Sequence, residues 1–298
     1  MNTPQTLIST ARPPFLILTP AVLSLAYALS YWQQGFIDLQ LSVLVFIAAL
    51  AAHISVNTFN EYADFHSGLD LNTSRTPFSG GSGGLPNNPS AAPAVLIFAL
   101  LTLAITGVIG LYFISLHGLS LLPLGLIGIL LIITYTKNIT RYPWLCLITP
   151  GLAFGPIFIV GSNFVLTGHY SLVAFIASLP IFFLVNNLLL LNQFPDEYVD
   201  KEFGRRHIVI EQGRHKSSQL FLVFNLLAYL SLVLAVIFKL LPNEILLGFL
   251  PVILALITSF SVRKNYQDSG LLLPAMGKNV VLNILTPILM AIGFIWAF

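Results

Sequence analysis

Apolar residues along this chain come in runs of about 20, the length a helix needs to cross a bilayer, separated by polar breaks. Nine such runs stand out, at roughly 13–32, 39–63, 91–115, 119–137, 146–166, 170–193, 217–239, 244–262 and 279–298. Most breaks are short caps, such as Gln33–Gln40 and His117–Gly118. Two are longer. Residues 65–90 are rich in Gly, Ser, Asn and Pro, and residues 194–216 open with acids and continue into Gly204-Arg205-Arg206-His207 and Gly213-Arg214. The pattern predicts an all-α polytopic membrane bundle of nine transmembrane helices: two four-helix halves around a central cavity, plus one extra span. Residues 1–298 form a single domain. Pro20, Pro123, Pro156, Pro180, Pro251 and Pro287 fall inside the runs and predict kinks.

Composition narrows this further. Hydrophobic residues make up 56% and charged residues 8%, with a mean hydropathy of +0.88, so no separate soluble domain is expected. The polar first 12 residues carry one basic residue, Arg12, which argues against a cleaved leader. With the N-terminus in the cytosol, every one of the 13 Lys and Arg residues except Lys239 falls on the cytosolic side, the asymmetry that orients membrane proteins. Asp38 and Glu244 lie opposite the remaining acids. The net charge of +2 includes no basic tract for nucleic acid, and the single cysteine, Cys146, excludes a thiolate metal site. No protein partner is required by anything in the pattern.

Chemistry concentrates where two apolar runs end. Asn57, Asn60 and Asp64 are spaced i, i+3, i+7 and share a helical face. Glu61 points somewhat aside, and Gly68 ends the helix so that Asp70 can fold back. The second stretch repeats the idea, with Asn192, Asp196 and Asp200 spaced i, i+4, i+8. Ionised carboxylates at a membrane boundary need a cation or a partner, and buried asparagines need one too. Hard oxygen ligands of this kind suit Mg²⁺ together with substrate phosphates. Neighbouring Arg and Lys would meet the phosphate oxygens left over. The glycine-rich 65–90 segment is then a mobile loop closing over a ligand. His53 reads as a hydrogen-bonder between helices, and His66 and His207 as surface residues. An ion-coupled transporter is the rival reading, although transporter sites favour the bilayer midplane.

These motifs resemble the UbiA superfamily of intramembrane aromatic prenyltransferases. The first family motif is matched by Asn57, Asn60, Asp64 and Asp70, and the second by Asp196 and Asp200. Gly151-Leu152-Ala153-Phe154-Gly155-Pro156 and Thr167-Gly168 are similar to the branch that prenylates 1,4-dihydroxy-2-naphthoate for menaquinone. Glu61, in place of that branch's Asp, and the NQFPD of Asn192–Asp196 depart from it. The resemblance implies Mg²⁺ held by Asn60, Glu61, Asp64, Asp70, Asp196 and Asp200. It implies a polyprenyl diphosphate and an aromatic acceptor contacted by Asn57, Arg75, Lys137, Asn192, Arg205 and Arg206. Asp64, Asp196 and Lys137 would be the catalytic residues, on the cytosolic side of a bacterial inner membrane.

Overall fold

The computed structural model describes residues 1–298 as helices and connecting loops with no strand. Helix α1 (Thr3–Thr10) opens with a reciprocal cap, in which Asn2 Oδ1 accepts from the Gln5 amide and Gln5 Oε1 accepts from the Asn2 amide. Arg12 then adopts a left-handed turn at φ 53. Next comes Pro13–Leu16, and the chain bends by 45° into α2 (Leu18–Gln34). The remaining long elements are α3 (Leu39–Ser67), α4 (Ala92–His117), α5 (Leu122–Thr134), α6 (Pro143–Thr167), α7 (Leu172–Glu202), α8 (Ile208–Ile237), α9 (Val252–Asn265) and α10 (Ser269–Trp296).

Seven helical stretches are long and apolar enough to cross a membrane, and the bent pair Thr3–Leu16 with Leu18–Gln34 makes an eighth. The chain is built as a multi-pass membrane protein. The ninth expected span falls short, because the apolar helix over Leu119–Thr134 is shorter than a bilayer requires. Of the six prolines expected to kink, Pro156, Pro180 and Pro287 do lie within helices. Pro20 and Pro123 sit in first turns, and Pro251 immediately precedes α9, where a missing N–H costs nothing.

Packing is uneven, and that unevenness positions the site. The largest core cluster joins α2, α6, α7 and α10 through residues such as Val22, Leu29, Ile181, Met290 and Phe294. A second, around Phe194, Phe221 and Met276, joins α7, α8 and α10. In contrast, α5 buries no residue at all, and α4 is apolar on every face, as expected of helices that face lipid. Helices α3, α4, α5, α6 and α7 surround a cavity, closed at one end by a smaller core cluster that includes Val45, Phe113 and Phe164.

Helix α6 carries the fold's main irregularity. Its middle, Ala153–Ile157, is a π-helical turn containing Pro156. Gly151, just before that turn, and Gly155, within it, face α7. A Cβ on Gly151 would lie 2.2 Å from the Phe182 carbonyl oxygen, and one on Gly155 would lie 3.0 Å from the Ser178 carbonyl oxygen. The Gly151 amide donates instead to Asn186 Oδ1 at 2.7 Å. This close approach turns Pro150, Ala153 and Phe154 toward the cavity.

Candidate active site

The two acidic faces meet. Asp64 comes from the last turn of α3, Asp196 and Asp200 from the last two turns of α7, and all three line one cavity of about 620 Å³. Arg205, in the loop after α7, links the faces directly. One Nη donates to Asp64 Oδ1 at 2.5 Å and the other to Asp200 Oδ1 at 3.0 Å. Burial works against the Arg205 charge, but Asp64 and Asp200 outweigh it and hold its pKa above the ordinary arginine value. Asn57, Asn60, Asp70 and Asn192 also line this mouth. Deeper in, the wall becomes apolar, with Gly107, Gly110, Gly125 and Gly128 beside Ile129, Ile132 and Phe158. A Cβ on Gly107, Gly110 or Gly125 would meet nothing within 4 Å, so glycine widens the space there.

The glycine-rich segment lies over the mouth and is held there by specific bonds. Gly80, Gly81 and Gly83 all take φ between 73° and 82°, a conformation that glycine adopts without strain. A Cβ on Gly81 would lie 2.7 Å from Asp70 Oδ1. Ser79 and Gly80 line the same cavity wall as Asp196. Ser82 is tied down through its amide and hydroxyl, both donated to Glu61 at 2.8 and 2.6 Å.

Several expected site residues stand elsewhere. Glu61 is fully buried but turns away from the cavity, held by Ser82 and by Arg12, whose Nε donates to it at 2.6 Å. Its Oε1 accepts from Arg12 and from the Ser82 amide, and its Oε2 from the Ser82 hydroxyl. Lys137 is exposed just beyond α5 and lies outside the cavity wall. Arg75 is also exposed and donates to the Asp70 backbone carbonyl at 2.9 Å. Arg206 is 61% exposed in its side chain and pairs with Glu211. For all three, a long flexible side chain at a helix end gains more by reaching water than by lining the cavity. His207, expected on the surface, is buried, with Nε2 3.3 Å from Asp200 Oδ2. His66 is exposed as expected. Arg214 straps the end of α7, donating to Glu197 Oε2 at 2.5 Å and to the Phe194 carbonyl at 2.9 Å.

Arg12 is the residue that sequence reasoning passed over. It lines the cavity and donates to Asn60 Oδ1 at 3.2 Å as well as to Glu61. Its position just before Pro13-Pro14, at the edge of the first apolar run, was the available signal.

The remaining donors and acceptors can be counted. Asp64 and Asp200 are matched by Arg205, and Glu61 by Arg12 and Ser82. Asp70 Oδ2 and Asp196 Oδ1 are buried with no hydrogen-bond partner. Burial foremost, then the charges of Glu61 and Asp64, raises the Asp70 carboxyl to about 7. Unpartnered carboxylate oxygens beside amide oxygens suit a hard divalent cation. No three acidic side chains converge on one point in this arrangement, because Arg205 stands between Asp64 and Asp200.

Comparison with known proteins agrees with this geometry. Residues 19–297 match the model of the UbiA prenyltransferase family. The chain is 30% identical over 220 residues to a 1,4-dihydroxy-2-naphthoate octaprenyltransferase of Bacillus subtilis (strain 168), covering 72% of this chain and 68% of that one. It is 26% identical over 255 residues to the UbiA prenyltransferase domain-containing protein 1 of Xenopus tropicalis, covering 83% and 69%. Its fold superposes with a TM-score of 0.67 on a UbiA homolog from Archaeoglobus fulgidus bound to DMAPP and Mg²⁺, at 15% identity over 98% of this chain and 100% of that one. With a family match over nearly its whole length, the chain belongs to the UbiA prenyltransferase family.

Proposed function

We propose that this enzyme transfers a polyprenyl group from a polyprenyl diphosphate to an aromatic quinone precursor, 1,4-dihydroxy-2-naphthoate or a close relative. One observation carries the reading: a single cavity joins a mouth of four carboxylates to an apolar, glycine-widened interior. That is the shape of a ligand with a diphosphate head and a hydrocarbon tail. The acceptor follows from the naphthoate octaprenyltransferase relative and from the Gly151–Pro156 turn, which forms one wall of the cavity. In this reading the mouth faces the cytosolic side of a bacterial inner membrane, supported by the gathering of basic residues at that end of the chain's loops.

Asp70 and Asp196 have oxygens to spare for Mg²⁺, and Asn60, Asp64 and Asp200 stand beside them. When bound, Mg²⁺ supplies positive charge that stabilises the departing diphosphate. The protein's own residues do the rest. Arg205 presents its guanidinium to the diphosphate oxygens, and Asn57 and Asn192 offer amide hydrogens at the mouth. The Gly80 and Gly81 backbone, strapped over the mouth, restricts water entry. The apolar interior keeps the tail extended and the allylic carbon dry while it bonds to the ring; the diphosphate leaves with the electrons of the broken C–O bond, and the ring gives up a proton, or carbon dioxide from its carboxylate, to regain aromaticity.

Purified protein in nanodiscs, given prenyl diphosphates of several lengths and 1,4-dihydroxy-2-naphthoate, should form prenylated naphthoate and diphosphate only with Mg²⁺. Mass spectrometry reads the product and its chain length. Product formation on another ring but not on naphthoate would sink the acceptor assignment. No diphosphate release from any donor would sink the transferase reading.

A further inference from the structure

His53 lies on α3 one turn inward of Asn57, buried but part of the cavity wall. Its Nδ1 is 2.8 Å from the hydroxyl of Thr19 on α2, which is itself fully buried. Thr19 Oγ1 has no other hydrogen-bond partner, and donation of its proton to Nδ1 is the arrangement that leaves no buried hydroxyl hydrogen unpaired; the ring's own hydrogen then sits on Nε2. Nε2 makes no hydrogen bond within the protein, yet it is not among the unpartnered nitrogens sealed from solvent. It therefore opens into the cavity. Phe154, from the π-helical turn of α6, packs edge-on against the imidazole with centroids 4.9 Å apart and fixes its orientation.

An N–H facing an apolar space is unfavourable unless an acceptor atom meets it. The prenyl tail has none. The diphosphate belongs with the acids and with Asn60, which is about 10 Å along the helix axis from His53, and Asn57 at the edge of the mouth stands between them, about 6 Å from His53. The ligand that remains is the aromatic acceptor. We propose that His53 Nε2–H binds an oxygen of that acceptor (a hydroxyl, carboxylate or carbonyl) and holds the ring against Phe154, with Thr19 as the positioning residue that sets the tautomer. The inference rests on the prenyltransferase reading and adds a requirement to it: the acceptor must carry oxygen on the edge that enters first.

Two measurements test it, using 1,4-dihydroxy-2-naphthoate as the acceptor probe. In His53→Leu, the KM for the acceptor should rise at least tenfold while the KM for the prenyl diphosphate moves less than twofold. His53→Gln, whose side-chain N–H reaches the place of Nε2–H, should stay within about threefold of wild type. The shorter His53→Asn should behave like the Leu variant, and so covers the case in which the latter does not fold. Thr19→Val should give an intermediate rise. Equilibrium binding of the acceptor, measured without donor, should follow the same order. Equal losses in the Gln and Asn variants, or a donor KM that rises alongside the acceptor's, would overturn the role. Wild-type protein that binds the acceptor in a His53-dependent way but transfers nothing would sink the transferase reading and leave the His53 contact standing.

Discussion

The two acidic faces look alike in sequence and behave differently in the fold. On α3, Asp64 is bonded to Arg205, and Glu61 to Arg12 and Ser82, so its acids are already matched by donors. On α7, Asp200 shares Arg205 and sits beside His207, while Asp196 retains a buried oxygen with no partner. Asp70, which folds back beneath the α3 face, retains one too. The lesson is that one protein cation, Arg205, already holds the faces together, and a metal has its freest ligands at Asp196 and Asp70. An acid's value as a ligand is set by the donors already around it, and spacing alone does not reveal those.

The sharpest way to break this comparison is to remove one carboxylate from each face. Asp196→Asn deletes a carboxylate oxygen that no protein group has claimed, so it should reduce turnover by about 10³-fold, the scale of losing a preorganised charge at a leaving group. The variant should remain folded by gel filtration in detergent, because no hydrogen bond to Asp196 Oδ1 is lost. Asp64→Asn should lose comparable activity but also free Arg205, so its thermal midpoint should fall as well. Equal thermal midpoints in the two variants would show that the faces do not differ as described.

How much of this was legible beforehand follows the same division. Helix periodicity and the ends of apolar runs placed Asp64 and Asp196 at one end of the bundle, because hydrophobic length and side-chain face are local properties. Gly68 as the α3 terminator was legible for the same reason, and the structure gives it φ 84. Partners were not legible. The bond from Arg12 to Glu61 spans a sequence separation of 49 residues, and nothing in a span pattern says which loop cation turns inward. The burial of His207 and the solvent-facing course of Arg206, one residue apart, are set by the loop that returns from α7 to α8 and not by residue type. The π-helical turn was visible only as a Gly- and Pro-rich motif, with no indication that α7 presses against it.

Smaller in effect on activity is the Glu61 anchor. Glu61→Ala leaves the Arg12 guanidinium and the Ser82 donors without their acceptor in a buried setting. Breaking one side of a buried pair costs about 3 kcal/mol. Thermal unfolding in detergent should show that loss, with much of the turnover per folded molecule retained at low temperature. A Glu61→Ala protein as stable as wild type but unable to bind Mg²⁺ would place Glu61 among the ligands after all.

Asp70 offers a pH-dependent test. Its folded pKa of about 7 lies above the ordinary carboxylate value, so the folded protein keeps a proton that the unfolded chain releases. The stability contributed by the neutral carboxyl is complete below the unfolded pKa and is lost as pH rises toward 7. In chelator, the thermal midpoint of wild type should therefore fall relative to Asp70→Asn between about pH 4 and 7, then run parallel above it. Adding Mg²⁺ at pH 8 should narrow the gap by meeting the unpaired charge. A gap that widens on acidification would reverse the sign and remove Asp70 from the buried end of the site.

The smallest expected effect is at Lys137, and it bears on the comparison because Lys137 and Arg205 carry the same charge at the same end of the bundle. Arg205 is enclosed, bridging two carboxylates at 2.5 and 3.0 Å. Lys137 is exposed and makes neither an ion pair nor a hydrogen bond. A solvated ammonium outside the cavity acts on the site only through screened, high-dielectric paths. Lys137→Ala should therefore change kcat and both KM values by less than about twofold in moderate salt. Any change should shrink further as ionic strength rises. A salt-independent loss of tenfold or more would mean that the loop after α5 folds inward when substrate binds, bringing Lys137 to the diphosphate, and the mouth would then be completed from the α5 side as well as from Arg205.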